Sequence, residues 1–344
     1  MKKQLWIKIR ESEQFSLLLT LAIVFVLMSL LNGQKFFSIR NVSAMMYQMP
    51  MIGLLAIGML ISELSGGINL SLVANANFNG VIIYVMLTAL TGNDMASSST
   101  GQLLLAIFIA LLASSLVGVI NGLMIAKLQV PALLATLGTM TLLQGLSLII
   151  TKGYTISGFP SKLTFLGNGA VFGIPMSIIL YGIVIIGAHF VLNRTVFGKQ
   201  LYMTGANPIA AKYSNVNTTK VLVVEYIFSA WFAFFASLIM IGQMNSVKAN
   251  YYESYLLIAV LASFLGGVNP NGGFGKLLGT VLAAIILQLI STGLNLMRLD
   301  PFMVTAMWGA IIILVLFGRE FLAKGKAFLV ARKSSHRRAR GETL

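Results

Sequence analysis

Acid–base and nucleophilic chemistry has few residues to draw on in this 344-residue chain: nine Asp plus Glu, two histidines (His189 and His336) and no cysteine. Thiolate metal sites, cysteine nucleophiles and disulfide frameworks are excluded together, and two histidines cannot build a histidine-rich metal centre. Seven acids, Glu11, Glu13, Asp94, Glu253, Asp300, Glu320 and Glu342, fall in connecting stretches or near the ends, and Glu63 closes an apolar run. Only Glu225 interrupts an apolar run, Val221 to Phe228, about one turn from its end, where a carboxylate can snorkel to water. His189, among apolar neighbours, reads as hydrogen-bonded structure. There is no His-Glu-x-x-His, no Gly-x-Ser-x-Gly and no paired aspartate; Gly198-Lys199 and Gly275-Lys276 lack the upstream Gly and following Ser/Thr of a phosphate loop. Neither an enzyme nor a nucleotide hydrolase finds its residues here, and no cofactor is called for.

What remains is hydrogen bonding. From Glu63 the chain reads Leu64-Ser65-Gly66-Gly67-Ile68-Asn69-Leu70-Ser71, then Asn75, Asn77, Asn79 and Gly80, which puts four Asn and three Gly in one short stretch. Unsatisfied amides in hydrocarbon cost about several kcal/mol each, so this stretch must face protein or a wet cavity. Asn69, Ser71, Asn75 and Asn79, with Phe78 as an apolar face, are a candidate solute route that gives a small polyol transient hydrogen bonds. The segment Leu265 to Lys276, with an Asn-Pro, an Asn-Gly and five glycines, predicts a tight turn.

The elements that position these residues are membrane helices. The chain is 57% hydrophobic and 10% charged with a mean hydropathy of +0.89, whereas a soluble domain carries about 25% charged residues. Apolar runs at 15–31, 43–62, 70–91, 102–126, 132–151, 171–192, 220–242, 254–267, 277–297 and 302–323 predict an all-α polytopic membrane protein of about ten transmembrane helices, with a re-entrant or broken segment near 64–80. Three quarters of the Lys and Arg fall on the N-terminal side of such an arrangement, which predicts both termini in the cytoplasm. The net charge of +15 flanks the apolar runs and meets anionic lipid, so nucleic acid is not an expected partner. No small-x-small site follows the first run, only Asn32-Gly33-Gln34-Lys35, so an uncleaved anchor is expected. The expected domains are a cytoplasmic segment 1–14, a membrane domain 15–323 with a cytoplasmic loop 194–219, and a basic cytoplasmic tail 324–344.

Within that loop, Gly205-Ala206-Asn207-Pro208-Ile209-Ala210-Ala211-Lys212-Tyr213 predicts a two-turn helix over 207–214: Asn207 is a favoured N-cap, Pro208 suits the first helical position and Asn215 can end it. So short a helix is unstable alone in water. Its apolar and small residues, Ile209, Ala210, Ala211 and Tyr213, suit either a knob for a partner's groove or a cap on the protein's own helices.

The loop resembles the coupling segment of permease subunits in the ribose/galactose/xylose group of bacterial ABC importers, with Phe197-Gly198-Lys199, Tyr202 and Gly205-Ala206-Asn207-Pro208-Ile209-Ala210-Ala211 in the family's order. Gly66-Gly67-Ile68-Asn69-Leu70-Ser71 resembles the family's Gly-Gly-Ile-Asp-Leu-Ser. Asn121-Gly122-Leu123, Val130-Pro131-Ala132, Ala135-Thr136-Leu137-Gly138, Gly266-Gly267 with Gly272-Gly273-Phe274-Gly275, and Gly293-Leu294-Asn295-Leu296 match further blocks. The likeness covers roughly residues 50 to 320. It implies a non-catalytic permease subunit in the bacterial cell membrane that works as a homo- or heterodimer. Two cytosolic ATPase subunits would bind the ATP, and an extracytoplasmic solute-binding protein would deliver a small sugar or sugar-like solute. On this likeness residues Gly205 to Tyr213 would couple to the ATPases. Departures are Asn69 where the family has Asp, and Leu72 and Val73 where it has small residues; they imply a changed pattern of hydrogen bonding to the cargo or within the motif. The alternatives are an ion-coupled secondary transporter using Glu225, and an ABC permease for a nucleoside or other non-sugar solute.

Overall fold

The protein is described by a computed structural model over residues 13–92, 94–300, 302–315 and 317. The basic N-terminal stretch up to Arg10, the tail 324–344 and His336 lie outside the described residues. The chain up to Arg298 forms one compact unit, and Leu299 onward forms a second, whose described part is helical over Phe302–Val315.

Nine of the apolar runs become helices, the tenth is helical over Phe302–Val315 in its described part, and further short helices stand between the runs. In the first unit these are α1 (Glu13–Asn32), α2 (Ile39–Glu63), α3 (Leu72–Thr91), α4 (Thr100–Ala126), α5 (Ala132–Thr151), the short α6 (Ser161–Asn168), α7 (Met176–Arg194), α8 (Val196–Ala206), α9 (Pro208–Tyr213), α10 (Thr218–Met244), α11 (Ser254–Leu265) and α12 (Leu277–Leu296). Eight of the described helices are long and apolar enough to cross a bilayer, while Ser254–Leu265 and Phe302–Val315, at the eighth and tenth expected spans, are shorter. The protein is a multi-pass inner-membrane protein. Two small antiparallel pairs, β1 (Ile156–Ser157) with β4 (Ser246–Val247) and β2 (Ala170–Val171) with β3 (Ile174–Pro175), tie down connecting segments.

The core sits where α2 and α10 cross their neighbours. Every residue of α2 from Pro50 to Glu63 is buried, and α10 packs on α2, α3, α4 and α6. The approach of α4 to α10 is set by Gly118-x-x-x-Gly122: a Cβ on Gly118 would lie 2.5 Å from Ile227 Cα, and one on Gly122 2.6 Å from Val223 Cα. Small residues four apart let helix backbones touch, and dispersion contacts hold them where lipid offers no hydrophobic drive. A Ser99/Gln102 capping box starts α4.

Two features differ in detail from the expectations. The break near 64–80 is confined to the bend Leu64 to Ser71, and the asparagines at 75, 77 and 79 lie within the regular helix α3, where each side-chain amide nitrogen finds an acceptor. Glu225 does not snorkel: it is 0% exposed and lies against Ser65, since its face of α10 points inward rather than toward the helix end.

Candidate functional site

The asparagine-rich stretch builds an uncharged hydrogen-bond ladder. At its foot, Asn69 Oδ1 accepts from the Ser71 N–H at 3.1 Å and from the Ser71 hydroxyl at 2.7 Å. Asn69 Nδ2 donates to Ser229 Oγ at 3.0 Å, and Ser229 donates to the Gly58 carbonyl at 2.7 Å. The bend is held from α5 as well: Thr136 Oγ1 accepts from the Leu70 N–H at 3.1 Å and lies 2.9 Å from the Ile68 carbonyl. Ser71 Oγ accepts from Asn121 Nδ2 at 3.0 Å, and Thr139 donates to Asn121 Oδ1 at 2.6 Å.

The ladder climbs α3 because Ser71, Asn75 and Asn79 recur every four residues and so share one stripe of the helix, about 12 Å long at 1.5 Å per residue. Asn75 Nδ2 donates to Ser114 Oγ at 3.0 Å, and Ser114 donates to the Ala230 carbonyl at 2.8 Å. Asn79 Nδ2 donates to Asn75 Oδ1 at 3.3 Å, while Asn79 Oδ1 is buried with no partner among the described residues. Asn77 points elsewhere and donates to the carbonyls of Ala249 and Tyr251. Phe78 is half-buried against Ala74, Val117, Met140 and Leu143. Asn69, Ser71, Asn75 and Asn79 are all buried, so in this conformation the ladder is closed. Sequence reasoning assigned no role to Ser114, Asn121, Thr136, Thr139 and Ser229, although Asn121 and Thr136 stand in the family-like blocks.

The short helix forms where the capping residues put it. Asn207 Oδ1 accepts from the N–H groups of Ile209 and Ala210, both at 3.0 Å, and Pro208 opens the helix. Asn215 follows its end with φ +61°. The expected knob divides into two faces. Ala211 is 1% exposed and packs into the core with Val216, whereas Ile209 is 68% and Tyr213 89% exposed, with Ala210 and Lys212 beside them. The residues before Asn207, read from sequence as loop, form the helix α8. Tyr202 on α8 donates to the Gly275 carbonyl at 2.8 Å, and burial pushes its phenol pKa up, which keeps it a neutral donor.

Two turns meet the end of α8 beside α9. The Gly273 N–H donates to the Leu64 carbonyl at 2.8 Å. A Cβ on Gly272 would lie 2.8 Å from Gly66 N and 2.9 Å from the Gly205 carbonyl oxygen, and one on Gly205 would overlap the Leu64 carbonyl oxygen. His189 accepts locally, with Asn193 Nδ2 3.2 Å from its Nδ1.

No solved structure matches the chain. It is similar to the ribose import permease protein RbsC of Haemophilus influenzae, with 31% identity covering 90% of this chain and 93% of that protein. The RbsC of Bacillus subtilis is 31% identical over 88% and 91% of the two chains. The autoinducer 2 import system permease protein LsrD of Yersinia enterocolitica is 29% identical over 78% and 80%. The family described as branched-chain amino acid transport system / permease component matches residues 41–316. With a buried polar ladder, a close-packed helical frame and that match over most of its length, the chain belongs to this family of ABC-importer permease components.

Proposed function

We propose that this subunit forms the membrane pathway for a small sugar or sugar-like solute and is driven by two separate ATPase subunits that dock on the Pro208–Tyr213 helix. An extracytoplasmic binding protein delivers the solute, and a second permease subunit, identical or different, completes the pathway. The carrying observation is the division of α9: one face is anchored by Ala211, and the other, Ile209, Ala210 and Tyr213, is open to a partner. Both termini and the 194–219 loop lie in the cytoplasm on this reading, as the Lys and Arg distribution favours. The sugar class follows from the likeness to ribose import permeases and the absence of charge from the ladder, which suits neutral hydroxyls.

The mechanism is mechanical. Closure of the ATPase pair on ATP carries α9 with it and rocks the helices between two arrangements. Asn69, Ser71, Asn75, Phe78 and Asn79 border the solute route; a passing polyol exchanges hydrogen bonds with them as the ladder opens, and weak individual bonds permit release.

The test is uptake into proteoliposomes holding the subunit, its ATPases and the binding protein, with ribose as the first solute. Uptake that needs ATP and survives an uncoupler supports the reading. The burial of Glu225 beside Ser65 favours one second reading, an ion-coupled carrier; uptake that ignores ATP, collapses with an uncoupler and is lost in Glu225→Gln would establish it instead.

A further inference from the structure

Gly205 is the odd residue where the two turns meet α8. Gly66, Gly272 and Gly273 have φ of +85°, +87° and +79°, so their turns alone account for them. Gly205 instead lies in the last turn of α8, buried and without the positive φ of a turn glycine, where any residue of good helix propensity would serve the backbone better. Close approach explains it: any side chain there would strike the Leu64 carbonyl and would come within 2.7 Å of Gly273 N.

We infer that Gly205, packed backbone to backbone on Leu64 and the Gly272–Gly273 turn, is a positioning residue that passes displacement of the Pro208–Tyr213 helix into the Ile68–Ser71 bend. The inference rests on the reading of that helix as the ATPase contact. Continuity on the input side is tight. Only Asn207 separates α8 from α9; its N–H donates to the Met203 carbonyl at 3.1 Å, and its carbonyl accepts from the Ala211 N–H at 3.0 Å, so the two helices move as one bent unit. The Tyr202 bond to Gly275 ties α8 to the same glycine turn. On the output side, Leu64 accepts from Gly273, and Gly67 donates to the Ser62 carbonyl at 3.1 Å. Two residues later Asn69 engages Ser229. Rotamer changes can absorb a push between side chains, but contact between backbones leaves no such slack, so a shift of α8 must appear in the bend that starts the ladder.

The test compares the wild-type complex with Gly205→Ala, and with Gly187→Ala as control because a Cβ there meets nothing within 4 Å. The readouts are ATPase-subunit binding, ATP hydrolysis and solute imported per ATP in proteoliposomes. Gly205→Ala leaves the exposed face of α9 intact, so it should bind the ATPases and hydrolyse ATP, yet import at least tenfold less solute per ATP. Gly187→Ala should match wild type. In parallel, hydrogen exchange on the wild-type complex should show the amides of residues 64–71 and 269–275 changing protection when a non-hydrolysable nucleotide binds. A wild-type solute-to-ATP ratio in Gly205→Ala overturns the inference, and so does unchanged exchange in both segments, which decides the matter even where the variant does not assemble. Wild-type uptake independent of ATP would defeat the proposed function itself, an outcome visible before any variant is compared.

Discussion

Replacing Ile209 with Ala separates a docking surface from a self-contained cap. The side chain loses three carbons, worth about 2.4 kcal/mol if fully buried at roughly 0.8 kcal/mol per carbon. In the isolated subunit Ile209 is already 68% exposed, so about two thirds of that sum, about 1.6 kcal/mol, is available to a partner that covers it. Every 1.4 kcal/mol is about a factor of ten in affinity, so the ATPase subunit should bind roughly fifteenfold more weakly. The melting temperature of the subunit alone should hardly move, because the helix keeps its Asn207 cap and its Ala211 anchor. The assay is titration of the labelled ATPase subunit onto the permease in lipid discs, beside a thermal melt of the same sample. Binding within twofold of wild type would refute the assignment of this face, and a large fall in melting temperature would show that Ile209 supports its own fold.

Arg at position 210 and Arg at position 211 should behave differently. Ala210→Arg should leave a folded, inserted subunit that no longer couples hydrolysis to uptake. Ala211→Arg forces a charge into a site 1% exposed and should lower thermal stability first; equal melts for the two would contradict the inward placement of Ala211. Asn75→Leu removes the acceptor of Asn79 Nδ2 and the donor to Ser114, so it should cost about 1–3 kcal/mol for the stranded buried amide and reduce uptake without weakening ATPase binding; unchanged transport would remove the ladder from the route. Gly118→Ala should wedge α4 from α10, lowering stability by about 1–3 kcal/mol as overpacking does, while Gly138→Ala, where a Cβ meets nothing within 4 Å, should be neutral in the same melt.

Local signals carried the reading of this sequence a long way, and tertiary partners mark where it stopped. The apolar runs located every long helix among the described residues, since the length and composition of a span are properties of consecutive residues. Asn207 and Pro208 announced the short helix for the same reason: a cap bonds within three residues. Nothing local announced that Asn69 meets Ser229, 160 residues away, or that Asn75 meets Ser114. Those partners are serines in apolar helices, with no periodicity to betray them. The helix α8 was hidden by Gly198 and Gly205, which read as loop residues until the close approach of Leu64 explains the second of them. Glu225 was misplaced because distance from a helix end says nothing about which face a side chain occupies. The Asn at position 69 also acquires a reason. Its Nδ2 donates to Ser229, which leaves the Ser229 hydroxyl free to donate to Gly58; an ionised Asp could only accept, so Ser229 would have to turn away from Gly58 to serve it.

The helix Ser254–Leu265 has 12 residues, which reach about 18 Å at 1.5 Å per residue against a hydrocarbon layer of about 30 Å. The chain that leads into it is non-helical around Ser246–Val247 and the tyrosines that follow, where the Tyr252 and Tyr255 rings lie tilted at 57° with centroids 4.7 Å apart and Asn77 ties the Ala249 and Tyr251 carbonyls. The support of the chain ahead of this short helix therefore comes from aromatic rings and one amide rather than from a continuous helix.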